Sequence, residues 1–410
     1  MRRNRYLQTM DQLRAGDDFK RTLVEKMERA EEDGGQSAAI VSQYTAKKRP
    51  YTNILIAAVI CVCIVAFWGR FDGRSPGNPS GPADADLPLL KVPDELEVSA
   101  GFEGIQAYGP EELENDNPWS ETADIATLPV FRNKRNETGL SADEMEAKAG
   151  ELAGKLNLTV QELVISPTEE EQKAYREKTG EEQDSTAVSV TAVCDGVKVI
   201  VEADGESSIW FEPGQKLKNS YDQADTDREQ AKALVEELLE TFQDAADMEK
   251  PEVKLSGGYD IYGNHTFYYQ AYEGGETLTE QILGYQFHTV WFSLNEEGEL
   301  WIVRFQEEDL TDKIGDYPVI TGKEARERLL NGHFITTVPD DVLEEKNIVK
   351  AELIYRNGDA DEVFMPYYRF WIELPYKVED TELKVYGAYY VPAVAEAYLT
   401  GLPVWSGSFN

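Results

Sequence analysis

The chain has 410 residues, long enough for two or three domains, and its 40 basic and 77 acidic side chains give a net charge of -37 at pH 7. That balance excludes nucleic acid as a partner and argues against binding to anionic lipid headgroups. The charge is unevenly shared, because residues 1–69 hold eleven basic and eight acidic side chains, whereas the 29 basic and 69 acidic residues from position 70 onward leave -40 there.

Residues 1–50 carry two short helical patterns. Leu7, Met10 and Leu13 share one face before Gly16; Asp17 or Asp18 then caps a second helix in which Phe19, Leu23, Val24 and Met27 recur at helical spacing. Such a short helix is marginal alone in water, so either the stripe of Phe19, Leu23 and Met27 is covered by a membrane surface or a protein partner, or the segment is a partly disordered tail before the span. The polar stretch around Gly34 and Gly35 reads as linker.

From Ile54 to Trp68 no residue is charged or strongly polar. With its flanks, the run 51–69 approaches the roughly 20 residues that a helix needs to cross a bilayer. Lys47, Lys48 and Arg49 stop it on one side, Tyr51 and Trp68 stand where interfacial aromatics belong, and only Arg70 and Arg74 follow closely. The basic asymmetry predicts a cytoplasmic N-terminus and an extracytoplasmic remainder, hence a single-pass protein of the cell membrane that meets the bilayer through residues 51–69. Val65-Ala66-Phe67 is not a signal-peptidase exit, and Ile60 and Val62 before Cys61 and Cys63 do not fit a lipoprotein signal. Cys194 alone remains beyond the span, so no internal disulfide is expected there.

Residues 71–112 read as a spacer rich in Pro, Gly and acidic residues. Ser141 to Glu144 forms a capping box for a helix with Met145, Ala149, Leu152 and Leu156 on one face, which Asn157 can end. Alternation then predicts strands at 187–193, 197–202 and 208–212 around an Asp195-Gly196 hairpin turn. Thr226 or Asp227 caps a helix carrying Ala231, Leu234, Val235, Leu238, Leu239 and Phe242, followed by predicted strands at 259–262, 266–272, 285–294 and 300–307. Thr321 to Glu324 opens a last helix over 321–330, with strands at 349–355, 365–374 and 385–391 after it. The expected fold is therefore α+β: a single transmembrane helix and then repeated modules of a helix on an antiparallel sheet. The expected divisions are 1–50 tail, 51–70 span, 71–112 linker, 113–222 first exterior domain and 223–410 second exterior domain.

Two resemblances follow from these residues. The tail sequence from Met10 to Met27, its linker, basic stop and single span resemble the N-termini of small-tailed anti-sigma-type membrane proteins of Gram-positive bacteria, without the His and Cys of their zinc-binding domain. The runs Tyr317 to Ala325, Lys350 to Tyr355, Met365 to Ile372 and Ala388 to Ala393 resemble the closing module of YycI-type regulatory proteins, single-span proteins of Gram-positive bacteria with PepSY-like exterior domains. The second resemblance implies a non-enzymatic regulator that binds a membrane histidine kinase; the first implies a sigma factor as the partner of the tail. An envelope enzyme using a carboxylate pair such as Glu307 and Glu308, and a structural surface protein, are the competing classes.

Chemical motifs are sparse. His265, His288 and His333 are scattered without metal-ligand spacing, Ser256 to Gly258 reads as a turn, and Asn357 to Glu362 is shorter than a calcium-binding EF-hand loop and lacks its closing Glu. Neither a cofactor nor a metal is expected. Tyr and Trp concentrate in 259–301 and 365–390, as sheet packing requires, or as a groove for an extended peptide would. If Lys47 to Arg49 hold the N-terminus inside, an export-dependent reporter fused after Asn410 is active and a cytoplasm-dependent one is silent; the opposite pattern refutes the orientation.

Overall fold

The computed structural model describes residues 87–93, 105–108, 113, 115–123, 125–135, 139–180, 186–218, 221, 226–259, 265–336, 338, 343–358, 361–377 and 383–405, all within one unit, Asn78–Asn410. The expectations for the apolar run 51–69 and for Phe19, Leu23 and Met27 lie outside the described residues. No helix among the described residues is long and apolar enough to cross a membrane.

The protein is α+β. In chain order its elements are β1 (Leu90–Lys91), β2 (Ile105–Tyr108), β3 (Thr127–Arg132), α1 (Ala142–Lys155), β4 (Glu162–Ser166), α2 (Glu169–Thr179), β5 (Ser189–Cys194), β6 (Val197–Glu202), β7 (Ser207–Gln215) and α3 (Arg228–Phe242). Then come β8 (Pro251–Tyr259), β9 (His265–Glu273), α4 (Leu278–Phe287), β10 (His288–Leu294), β11 (Leu300–Glu307), β12 (Lys313–Pro318) and α5 (Gly322–Leu330). The chain continues through β13 (Ile348–Tyr355), β14 (Val363–Phe364), β15 (Pro366–Lys377), β16 (Lys384–Pro392) and β17 (Leu399–Thr400). The five α-helices among the described residues all begin in a capping box, with Ser141, Thr168, Asp227, Thr277 and Thr321 as the caps.

An eight-stranded antiparallel sheet in the order β4-β5-β6-β7-β11-β10-β9-β8 dominates the first two thirds of the described chain. It consists of two four-stranded meanders, each preceded by a helix, joined through their last strands, with Ile209 opposite Val303 and Ser208 opposite Arg304. Strands from both sides of residue 222 therefore share one sheet. Helices α1 and α3 cover one face of it, and one core runs under both, from Met145, Ala149 and Leu152 through Val190, Val201 and Ile209 to Leu234, Phe242, Phe292 and Val303. Cys194 is a free thiol buried in that core. Asp195-Gly196 turns β5 into β6, with Gly196 at φ 71°, where a side chain would be strained.

The last third repeats helix then meander: α5 precedes β13, β15 and β16. The fourth strand of this sheet is β2, taken from far upstream, in the order β13-β15-β16-β2. Segment 87–132, part of which reads as linker in the sequence, also gives β1, parallel to β17, and β3, between β12 and β14. Both faces of the four-stranded sheet are consequently buried, one on Phe334, Leu329 and Trp119, the other on Leu90, Val130, Tyr317 and Tyr398. Buried tyrosines reach backbone acceptors across these layers: Tyr355 Oη donates to Pro129 O at 2.8 Å and Tyr317 Oη to Pro88 O at 2.9 Å.

Several elements differ from the sequence expectation. Ser256 to Gly258 is not a turn but part of β8, where it pairs with Tyr268, Phe267 and Thr266; of the strand expected at 259–262, Tyr259 is the last residue of β8 and the rest lies outside the described residues. Residues 285–287 close α4 instead of opening a strand, so Gly274 and Gly275 lead into a helix. Strand β4 and helix α2 have no counterpart in the expectation.

Because one core underlies both meanders, Leu234→Ala should cost about 2 to 5 kcal/mol in urea unfolding. Single-tryptophan variants that keep only Trp210, in the first meander, or only Trp291, in the second, should share one midpoint, and two separated midpoints would show the halves to be independent.

Candidate functional site

Strand alternation sends every second side chain of the eight-stranded sheet away from α1 and α3. One row on that outer face crosses all eight strands: Lys254, Gln270, Trp291, Arg304, Ser208, Ile200, Thr191 and Val164. Beside it the register slips between Leu300 and Ile302, so Leu300 points into the core and Trp301 is turned out, 41% exposed. Trp291 and Tyr268 are 38% and 48% exposed on the same face. The indole N–H of Trp291 donates to Thr289 Oγ1 at 3.1 Å and that of Trp210 to Ser208 Oγ at 3.0 Å, each two residues back along its own strand. These bonds lay the indoles along the strands. Trp210 and Trp301 meet edge to face, with centroids 5.4 Å apart.

At the β8 and β9 end the outer face meets the last third of the chain through polar groups. Lys254 Nζ donates to Tyr285 O at 2.8 Å and lies 4.0 Å from the centroid of that ring, which packs edge to face on Tyr272. The Lys254 side chain is only half-buried as a whole, yet its ammonium is enclosed, and desolvation lowers its pKa to about 7 against the pull of Glu352. Burial likewise raises Tyr272 to about 12 and Tyr285 well above the usual phenol range. The Glu352 side chain, 1% exposed, is held by Lys350 Nζ at 2.7 Å, Arg369 Nε at 2.7 Å and Trp371 Nε1 at 3.1 Å. Asp116 accepts from Leu255 N at 2.7 Å and pairs with Arg228 at 3.2 Å, tying the N-terminal segment to β8.

The end of the sheet opens into a cleft of about 910 Å³, lined by Glu249, Glu273, Glu276, Glu280, Glu307, Glu308 and Asp309 with Lys250 and His288. Its carboxylates are largely occupied with the fold. Glu273 accepts from the amides of Glu249 and Lys250, Glu280 caps α4, Glu276 pairs with Lys250, and Asp309 holds Thr311 and Lys134. Of the sequence-derived pair, Glu308 is bound by Arg135 and Gln306, while Glu307 is exposed.

The histidines are far apart in role as well as in sequence. His265 stacks edge to face on Phe267, His288 Nε2 shares a hydrogen bond with Ala246 O at 2.7 Å, and His333 Nδ1 contacts Pro403 O at 3.1 Å. Near Asn357 the Asp361 carboxylate accepts from Gly358 N and pairs with Arg356 at 3.3 Å. Among the described residues no group of His, Cys, Asp and Glu is placed to hold a metal ion. The aromatic outer face is the feature that reading by segment misses. Its signal was Trp291 and Trp301 on facing strands, but the register slip that exposes Trp301 has no local signature. Comparison of the chain with protein-family models and with curated proteins gives no match.

Because Lys254 binds its proton less tightly folded than unfolded, its linkage makes stability rise with pH between about 7 and 10.5, and the full penalty is present below pH 7. The thermal midpoint of Lys254→Met relative to the unaltered protein should therefore be highest near pH 6 and fall as pH approaches 10. A pH-independent difference would place the ammonium in water.

Proposed function

We propose that this chain is a non-enzymatic, single-pass regulatory protein of the cell envelope whose exterior α+β modules hold a protein partner. The observation that carries the reading is the outer sheet face, where Trp210, Trp291, Trp301 and Tyr268 form an aromatic surface on a strongly acidic chain. Exposed, orientationally fixed tryptophans are the side chains that dominate protein interfaces when desolvated. The carboxylates of the cleft favour binding over catalysis, since most of them close turns, cap α4 or pair with nearby cations.

Three successive units of helix then antiparallel meander support a PepSY-like reading of the modules and, with the basic-flanked apolar run 51–69, a YycI-like arrangement: tail inside, folded part outside. On this reading the tail carries the second contact, through Phe19, Leu23 and Met27, and couples exterior binding to a cytoplasmic or intramembrane partner. A histidine kinase is the partner that the exterior resemblance implies, a sigma factor the one that the tail implies.

A photocrosslinking residue at Tyr268 in native membranes should capture one specific protein, and Trp291→Ala combined with Trp301→Ala should weaken that capture more than tenfold while the thermal midpoint changes little. Undiminished capture by the double variant removes the face from the proposal. In parallel, Leu23→Asp places a charge in the tail's apolar stripe and should abolish capture from positions 17–30 without affecting membrane insertion; identical captured sets would reduce the tail to a leader for the span.

A further inference from the structure

The two outer strands of the eight-stranded sheet are treated differently by the fold. Strands β4 and β8 are counterparts, each the first strand after its unit's helix and each antiparallel to the second strand of its meander. On β8 the edge is covered: β2 packs against it and the Leu255 N–H is donated to the Asp116 carboxylate. Among the described residues no strand pairs with the outer edge of β4. That edge also exposes apolar side chains, with Leu163 at 43% and Ile165 at 41%, and Val188 next to them at 54%. Leu163 and Ile165 pair with Ala192 and Val190 of the core, so both lie on the face that α1 covers further in but leaves bare here. Helix α2, which follows directly, buries none of its residues. Edge strands in soluble proteins are normally blunted by an inward charge, a bulge or a covering segment, and β4 has none of these within its five residues.

We propose that the open edge of β4 takes an extended segment of a partner protein as an added strand, with apolar side chains at alternate positions beside Leu163 and Ile165 and basic side chains between them. The alternation follows from the pleat, since a strand added in register puts every second side chain on the bare apolar face. The basic positions follow from charge. Glu162 opens the strand, Glu169 and Glu170 stand in the first turn of α2, and the chain carries -37 overall. The same charge works against a second copy of this chain as the occupant. The site gives a strand-binding mode to the partner reading above but uses an edge, not the tryptophan face, so the two surfaces fail separately.

The test uses the full chain in detergent and a capped nine-residue peptide of alternating Lys and Val, beside the same peptide with its backbone amides methylated. The unmethylated peptide should slow amide hydrogen exchange across residues 161–166, and methylation should weaken binding at least tenfold, because it removes the donors that pair with the edge while keeping charge and side chains. Leu163→Gln combined with Ile165→Gln should weaken binding of the unmethylated peptide to a similar extent, with the thermal midpoint unchanged at these exposed positions. Equal binding of both peptides would reduce the effect to attraction by an acidic protein and overturn the proposal. Protection on β10 and β11 in place of β4 would do the same while leaving the tryptophan face as a binding surface, and concentration-dependent protection of β4 without peptide would identify a second copy as the occupant and refute the partner strand.

Discussion

The pairing of β7 with β11 is the contact on which the larger part of the molecule depends. Each meander alone would have two unpaired edges and one helix to cover one face. Joined last strand to last strand, they lose one edge each and pool their apolar faces into a single core beneath α1 and α3. The gain is in the ratio of buried area to surface, since a unit of this size burying its own face separately is only marginally stable. What remains is one edge at each end, and the chain closes one of them with its own N-terminal segment.

The junction between this sheet and the last third is built on charge. Glu352 is almost wholly withdrawn from water, yet it touches Lys350, Arg369 and Trp371 on its own sheet and acts electrostatically on Lys254 across the junction. Such a cluster adds little net stability, because desolvation offsets the attraction, but removing one partner strands the rest at a cost of about 3 to 5 kcal/mol. Its effect is to define one docking geometry: an apolar junction tolerates sliding, whereas displaced buried charges lose their partners. In a protein with so many surface carboxylates, the cations Lys254, Lys350, Arg228 and Arg369 are concentrated where the two sheets meet.

Capping chemistry and apolar faces made α1, α3 and α5 legible from the residues, and Asp195-Gly196 made the β5 to β6 hairpin legible. Helix α2 was missed because it buries nothing: its Thr168 to Glu171 capping box was present, but no apolar stripe drew attention to it. Helix α4 was missed for the opposite reason, since Ile282, Tyr285 and Phe287 are buried on a segment that runs directly into β10, and the apolar residues of both read as one strand. Gly257 and Gly258 look like a turn but serve in strand β8, where the Tyr268 hydroxyl lies near Gly258. Pairings between distant segments, β7 with β11, β2 with β16 and β1 with β17, leave no local trace, and the outer tryptophan face depends on the first of them. The tail residues Phe19, Leu23 and Met27 are legible only as a pattern.

The threading of β1, β2 and β3 through the last unit sets an order on how the molecule is made. Thr400 Oγ1 donates to Leu90 O across 310 positions of sequence, and β2 finds β16 only after nearly the whole chain exists. At synthesis rates of about 5 to 20 residues per second, the first strands to emerge wait about 15 to 60 s for their partners. During that interval the tandem sheet can assemble from its own hairpins, which are local contacts and close quickly, while β1 and β3 still lack their partner strands. The pairing of the two ends of the folded region has to await the C-terminal strands. A truncation at the C-terminus is therefore felt first at the other end of the fold, where Leu90, Val92 and Val130 lose the surface that buries them.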